Sequence, residues 1–423
     1  MKYIQTNIFT NYNRNKPSAG EALGALLTWN GSKARIKRGI VMASWIDERT
    51  TRRGAGVSRR SFLKIGGLAS AGAVLFGLTG CGSSSSGGTA ASATSAASSV
   101  VSTHTVTDIK GAAVDLPVQI DSIVDLWHAH NQIVLMLGAA DKLVGTTQNF
   151  KNMKWANVVY PNLANVQTIV TGSGSNQEVN YEEVLNLDPD VIFASADNMV
   201  TECRNRGLNA VNVMFQDYAG LRKDVAITAE VLGEDAQALA NQWTELLDKN
   251  IKLVEDRMNG VSSADKPKVL HIVNGNNLVN VDGTNCIVDE WIKLAGGVNA
   301  IQTAGNMIDV TMEDIVNANP DVIIIGSNGA RAAVENLLAD SAWSGITAVQ
   351  NGAVYANPLG VFAWDRYSGE EALQVLWAAK KLNPDVFSDI DMVAQAQEFY
   401  QTFYGFTLSI EQATRIVNAE DPV

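Results

Sequence analysis

Short apolar runs alternate with stretches of helical periodicity from about residue 104 to the end of the chain. Residues 105–117 alternate apolar and polar positions around Lys110-Gly111, which predicts a small hairpin. Ser122-Ile123-Val124-Asp125-Leu126 reads as a short apolar strand, and residues 132–138 as a helix closed by Gly138. Strand and helix keep alternating beyond this point, so a parallel sheet covered by helices is expected.

The pattern also repeats. Residues 179–198, VNYEEVLNLDPDVIFASADN, align without gaps to residues 310–329, VTMEDIVNANPDVIIIGSNG, with seven of twenty positions identical. Each copy reads as a short helix, a turn at Asp188-Pro189-Asp190 or Asn319-Pro320-Asp321, and a buried strand, because proline stops a helix and β-branched residues suit a pleated surface. The copies stand 131 residues apart, about one α/β lobe, and so predict two similar lobes in tandem. Between them, residues 234–259 contain no Pro or Gly and place Leu239, Trp243, Leu246, Leu247, Leu253, Val254 and Met258 at helical spacing. The expected element is one helix of about 39 Å, at roughly 1.5 Å per residue. A strut of this kind restricts the lobes to small hinge or shear motions. A surface helix belonging to one lobe would give the same periodicity. The predicted fold is therefore α/β, with an N-terminal lobe over residues 104–217, linking helices over 218–262 and a C-terminal lobe over 263–423.

The chain has 423 residues, 46% of them apolar, enough to build more than one core. Its charge is uneven: 13 of the 32 Lys and Arg but only 3 of the 44 Asp and Glu precede residue 81, so the remainder carries a net charge of −22. So acidic a body repels phosphate backbones and excludes direct nucleic-acid binding. The basic segment contains Ser58-Arg59-Arg60-Ser61-Phe62-Leu63-Lys64 followed by 16 uncharged residues rich in Gly and Ala. That is a twin-arginine export signal over residues 58–81, too short to span a membrane. It ends in Leu78-Thr79-Gly80-Cys81, which resembles a lipobox whose Cys81 is acylated. Residues 1–57 form an extension without apolar periodicity, with an alternative start at Met42, and residues 82–103 are a Ser/Gly/Ala tether. Together these features place a folded body outside the cytoplasm, held to the membrane through a lipid alone. Cys81, Cys203 and Cys286 are too few for a disulfide-stapled domain.

Several ordered motifs carry a family resemblance over residues 104–420. They are Val106-Thr107-Asp108 with Gly111, Leu137-Gly138 with Lys142-Leu143-Val144-Gly145, the two Glu-to-Pro-Asp segments of the repeat, Leu294-Ala295-Gly296-Gly297-Val298-Asn299, and Asn383-Pro384-Asp385. In this order the chain resembles the helical-backbone solute-binding proteins of ABC importers, which serve ferric siderophores, heme and cobalamin. The resemblance implies a monomer with a ligand cleft between its lobes, no catalysis, no covalent cofactor, and a permease and ATPase as partners. It also implies that Glu182 and Glu313, equivalent across the repeat, dock the receptor on arginines of the permease; glutamate in a helix's first turn is otherwise ordinary dipole compensation. The ligand expected is an iron complex, with heme or cobalamin as alternatives.

The cleft belongs at loops following the carboxyl ends of strands. Trp127-His128-Ala129-His130 follows the first strand, and in extended backbone His128 and His130 would share one side and could approach a metal together. His271, within an apolar run, reads as a core residue. From the second lobe, Asn276 and the segment containing Phe362, Trp364, Arg366 and Tyr367 are expected at the ligand, the aromatics as a flat wall and Arg366 facing anionic oxygens. No G-x-S-x-G, H-E-x-x-H or G-x-G-x-x-G supports a surface enzyme on the same scaffold. Cell fractionation with lipid labelling tests the export reading: Cys81→Ala should be unlipidated, and Arg59→Lys with Arg60→Lys should stay in the cytoplasm. A lipidated Cys81 variant would remove the anchor.

Overall fold

Asp108 sets the first turn, its Oδ1 accepting from the N–H groups of Lys110 (3.0 Å) and Ala112 (2.9 Å) while Gly111 supplies a φ of +88°. Strands β1 (Thr103–Thr107) and β2 (Ala113–Pro117) consequently pair as the expected antiparallel hairpin. The structure, a computed structural model, describes residues 102–423 apart from 173, 263–264 and 327–328. The N-terminal extension, Arg59, Arg60, Cys81 and the tether up to residue 101 lie outside the described residues.

The N-terminal lobe is built on β3 (Ile123–Asp125), β4 (Leu143–Thr147), β5 (Gln167–Thr171), β6 (Glu178–Val179), β7 (Val191–Ala194) and β8 (Ala210–Asn212). Their order is β6-β5-β4-β3-β7-β8, parallel except at the β5–β6 edge. The C-terminal lobe uses β9 (Lys268–Ile272), β10 (Asn280–Val281), β11 (Val298–Asn299), β12 (Ile308–Asp309), β13 (Val322–Ile325) and β14 (Val354–Ala356). Here β9, β13, β14 and β11 run parallel, while β10 and β12 add an antiparallel edge. Continuous burial of β3, β7, β8 and β13 explains why those strands read as unbroken apolar runs.

The repeat has a mechanical meaning. Helices Tyr181–Leu187 and Met312–Ala318 both end in left-handed residues, Asp188 (φ 45°) and Asn319 (φ 41°), residue types that tolerate this conformation. The aspartate after each proline then caps the start of the neighbouring central strand. Asp190 Oδ2 accepts from the N–H groups of Asp121 (2.8 Å) and Ser122 (3.0 Å), and Asp321 Oδ2 from that of Lys268 (2.8 Å). Both lobes thus start their β3–β7 or β9–β13 pair with the same device.

The long helix is present as Glu234–Met258, with Trp243, Leu247 and Val254 fully buried. It is no free strut, since it packs along helix Glu371–Leu382 of the other lobe: Trp243 Nε1–H donates to the Gly369 carbonyl (2.7 Å) and Asn250 Nδ2 to that of Ala372 (2.7 Å). The Gly369 N–H donates in turn to Gln132 Oε1 (2.6 Å) on helix His130–Met136 of the N-terminal lobe. C-terminal residues also return to that lobe, where Trp155 Nε1–H donates to the Glu420 carbonyl (2.9 Å) and Lys154 pairs with Asp421. One apolar cluster accordingly contains residues of both lobes, from Ile133 and Phe215 to Trp291 and Phe399. No described helix is long and apolar enough to cross a membrane.

Candidate ligand-binding site

Asp125, the last residue of β3, is fully buried and its Oδ1 accepts from the Trp127 N–H (3.0 Å), folding the chain into a turn directly after the strand. Asn131 tightens the turn by donating from Nδ2 to the Trp127 carbonyl (2.8 Å), and Thr146 on β4 donates to Asn131 Oδ1 (2.5 Å). Trp127 is thereby presented toward the segment following β8, with its ring 5.5 Å from that of Phe215. Both rings meet Tyr367 of the C-terminal lobe, at 5.5 Å from Trp127 and 5.6 Å from Phe215. His128 meets Phe362 at 5.6 Å. Loops after β3 and β8 in one lobe therefore touch the loop after β14 in the other through aromatic rings, the geometry such rings prefer. Tyr367 adopts φ +60°, and its hydroxyl accepts from Asn306 Nδ2 (2.7 Å) and lies 3.4 Å from Gln216 Oε1 across the junction.

Of the residues expected at the site, the structure brings together Trp127, His128, Phe362 and Tyr367. Four others are placed differently. His130 does not share a side with His128, because Trp127–Ala129 forms a turn and His130 opens a helix; it is 0% exposed and engaged at both ring nitrogens by Asp125, Thr228 and Asp224. A metal cannot reach it there. Arg366 does not face the ligand space either, since its guanidinium is buried against Asp282 (2.5 Å) and near Asp365 (3.4 Å). Removing a guanidinium from water costs several kcal/mol unless a carboxylate neutralises it, and these two do so. Trp364 is fully buried, its indole N–H without a partner among the described residues. Asn276 stays exposed in the turn after β9, its N–H donating to Asn274 Oδ1 (2.9 Å). His271 is the core residue expected, held between Asp282 and Asp365.

Phe215, Gln216 and Asn306 were missed. Phe215 had a usable signal, because Val213-Met214-Phe215 follows a strand just as Trp127 does. Asn306 had none, as its approach to Tyr367 depends on the β10–β12 edge.

Burial pushes the His128 imidazole down to about 4, so it is neutral at physiological pH, and its Nδ1 has no partner among the described residues. It can offer one ligand to a metal. Among the described residues no group of three or more His, Cys, Asp or Glu is disposed to hold a metal ion. Two surface hollows of about 250 and 320 Å³, lined by residues such as Tyr355 and Lys381 or Lys142 and Glu234, contain none of the predicted site residues. Cys203 and Cys286 are both buried free thiols.

Carboxyls behind the site titrate unusually. Burial pushes Asp224 up to about 7 despite nearby His130, and Glu370 up to about 7 despite hydrogen bonds from Tyr400, Tyr404 and the Phe362 N–H. Both bind a proton more tightly folded than unfolded, so their contribution to stability is full below about pH 4 and is lost as pH rises through about 7. Thermal melts should accordingly show Tm falling between pH 5 and pH 8, and the fall should shrink in the Asp224→Asn, Glu370→Gln double variant. A Tm that rises over this window would contradict the protonated, buried state of these groups.

The periplasmic binding protein family profile matches residues 123–358, more than half of the chain. The molybdate-binding protein MolA of Haemophilus influenzae is 27% identical over 345 residues, 75% of this chain and 95% of that protein. A cobalamin-binding protein of Halobacterium salinarum is 27% identical over 265 residues, 60% of this chain and 65% of that protein. Among solved structures, a periplasmic solute-binding protein of Veillonella parvula superimposes with a TM-score of 0.65 at 25% identity, covering 75% of this chain and 97% of that one. The match covers more than half of the chain and the two-lobed fold agrees with it, and the chain belongs to the helical-backbone class of the periplasmic binding protein family, the solute-binding components of ABC importers and not enzymes.

Proposed function

We propose that the chain captures a metal-containing small molecule outside the cytoplasm, an iron chelate first and heme or cobalamin as alternatives, and delivers it to an ATP-driven importer. The aromatic contact across the lobes carries this reading. Trp127 and Phe215 on one side and Tyr367 and Phe362 on the other offer flat apolar faces to a chelate. His128, a single neutral imidazole, fills at most one open coordination position, so the metal brings its other ligands with it. Relatives named for cobalamin and for Fe(3+)-citrate accord with this class. A bare oxyanion is the second reading, favoured by the coverage of the molybdate-binding relative. The neutralisation of Arg366 by Asp282 weighs against it. Cys81, acylated, and the tether would hold the receptor at the membrane's outer face as a monomer.

Metal analysis and absorption spectra of the material that copurifies with native protein decide among these. Iron with a charge-transfer band is expected; a Soret band means heme, a corrin spectrum cobalamin, and molybdenum alone would replace the chelate reading with the oxyanion.

Docking has its own surface. Glu182 and Glu313 are both exposed, and one turn further along the same helices Leu185 and Val316, equivalent in the repeat, are 41% and 49% exposed. The two lobes thus present the same acidic and apolar pair twice, suiting a partner with two matching basic sites. Glu182→Arg with Glu313→Arg should abolish uptake in a transport assay while ligand affinity stays within a few-fold. Wild-type transport by this variant would refute the docking role.

A further inference from the structure

Each lobe buries one histidine between two aspartates, and both clusters adjoin the aromatic junction. In the N-terminal lobe, His130 Nδ1 lies 2.7 Å from Asp125 Oδ2, and its Nε2 lies 2.9 Å from Thr228 Oγ1 and 3.7 Å from Asp224 Oδ1. In the C-terminal lobe, His271 Nδ1 lies 2.8 Å from Asp282 Oδ2 and its Nε2 3.1 Å from Asp365 Oδ2. Both histidines and all four aspartates are 0% exposed. A neutral imidazole has one N–H, whereas an imidazolium carries one on each nitrogen. At each ring one aspartate is in hydrogen-bond contact, Asp125 or Asp282, and a second carboxylate, Asp224 or Asp365, stands on the opposite side as a charge contact without an aligned hydrogen bond, an arrangement that favours the charged ring.

Each cluster also grips a wall of the junction. Asp125, held through Oδ2, accepts the Trp127 N–H at Oδ1 (3.0 Å). Asp282 receives Arg366, the neighbour of Tyr367, at Oδ2 (2.5 Å), and the Met307 N–H at Oδ1 (2.9 Å), next to the Asn306 that binds the Tyr367 hydroxyl. Gly326, at the end of β13, is part of the same device, because a Cβ there would overlap the Asp365 carboxylate.

We propose that His130 and His271 are positioning residues, each a buried imidazolium that fixes one aromatic wall of the ligand site, Trp127 through Asp125 and Tyr367 through Asp282 and Arg366. This rests on the aromatic junction being the ligand site.

The two clusters are not balanced alike. Around His271 stand Asp282, Asp365 and Arg366, two acids against two bases, with the Trp291 ring at 5.7 Å. Beside them Glu371 is pushed well above its usual range by burial and by Asp365. Around His130 stand Asp125, Asp224, the Thr228 hydroxyl and the Phe193 ring at 4.6 Å, with no second base among the described residues. With Asp224 pushed up to about 7 by burial, this cluster is neutral below that pH and gains an uncompensated charge above it.

The test uses nitrogen NMR of histidine-labelled protein together with hydrogen exchange, neither of which needs the ligand. At pH 7 both ring nitrogens of His130 and His271 should be protonated, and only one of His128. His130→Gln should raise amide exchange in residues 126–131 by at least about tenfold, the equivalent of one lost charged hydrogen bond, and leave residues 360–368 unchanged; His271→Gln should do the reverse. Where His130→Gln does not fold, Thr228→Val removes one acceptor at similar volume and carries the same test with a smaller effect. A singly protonated His130, or exchange rising equally in both lobes, overturns the proposal. The site reading fails separately, if Trp127→Ala and Tyr367→Ala leave quenching by ferric citrate, cyanocobalamin and molybdate unchanged.

Discussion

Three parts of the fold meet at Gly369, and the need to satisfy its peptide groups in a dry interior organises the molecule around it. Its N–H donates to Gln132 on the N-terminal lobe's first helix, and its carbonyl accepts from Trp243 on the backbone helix. A side chain at this position would overlap Met136. A buried peptide group left without a partner costs about 1–3 kcal/mol, so the lobes cannot separate here without an equivalent replacement. Asn250, pairing with the Ala372 carbonyl, extends the same seam along the backbone helix.

Motion is constrained as a consequence. Lobes that share a hydrophobic cluster and a hydrogen-bonded seam can slide or tilt by small amounts but cannot swing apart as bodies on flexible strands do. The Trp127–Phe215–Tyr367 contact belongs to that shared cluster, its three rings buried where the lobes meet. A ligand binding there as proposed would have to part three rings, exchanging ring–ring contact for contact with its own apolar faces. Aromatic walls suit such an exchange because they keep a large contact area with few rotatable bonds.

Charge is treated in opposite ways inside and outside the protein. On the surface, Glu182 and Glu313 of the two repeat helices are exposed to solvent. Inside, Arg366, His130 and His271 are each bracketed by carboxylates, because a lone buried charge is untenable. This explains why Arg366 can sit one position from Tyr367 of the aromatic junction and still have its charge compensated.

The sequence by itself determined everything that depends on local pattern. Apolar runs, turn residues and the Pro-Asp repeat specify the hairpin, the strands, the two-lobed α/β organisation and the helix Glu234–Met258, since each follows from periodicity over a few residues. The placing of Trp127 and Tyr367 after strands was legible for the same reason. Side-chain pairing between distant segments was not. His130 was misplaced because a turn, stabilised by Asp125 and Asn131, breaks the extended backbone that its spacing from His128 assumed. Arg366 was misplaced because its partner Asp282 lies 84 residues away on another element. Phe215 and Asn306 meet Tyr367 only because segments distant in the chain pack together. Local propensity acts along the chain, while the cost of burying a charge or an unpaired donor is decided only when remote segments meet, and that is where the tertiary structure decided which candidates lie at the aromatic junction and which are buried in ion pairs behind it.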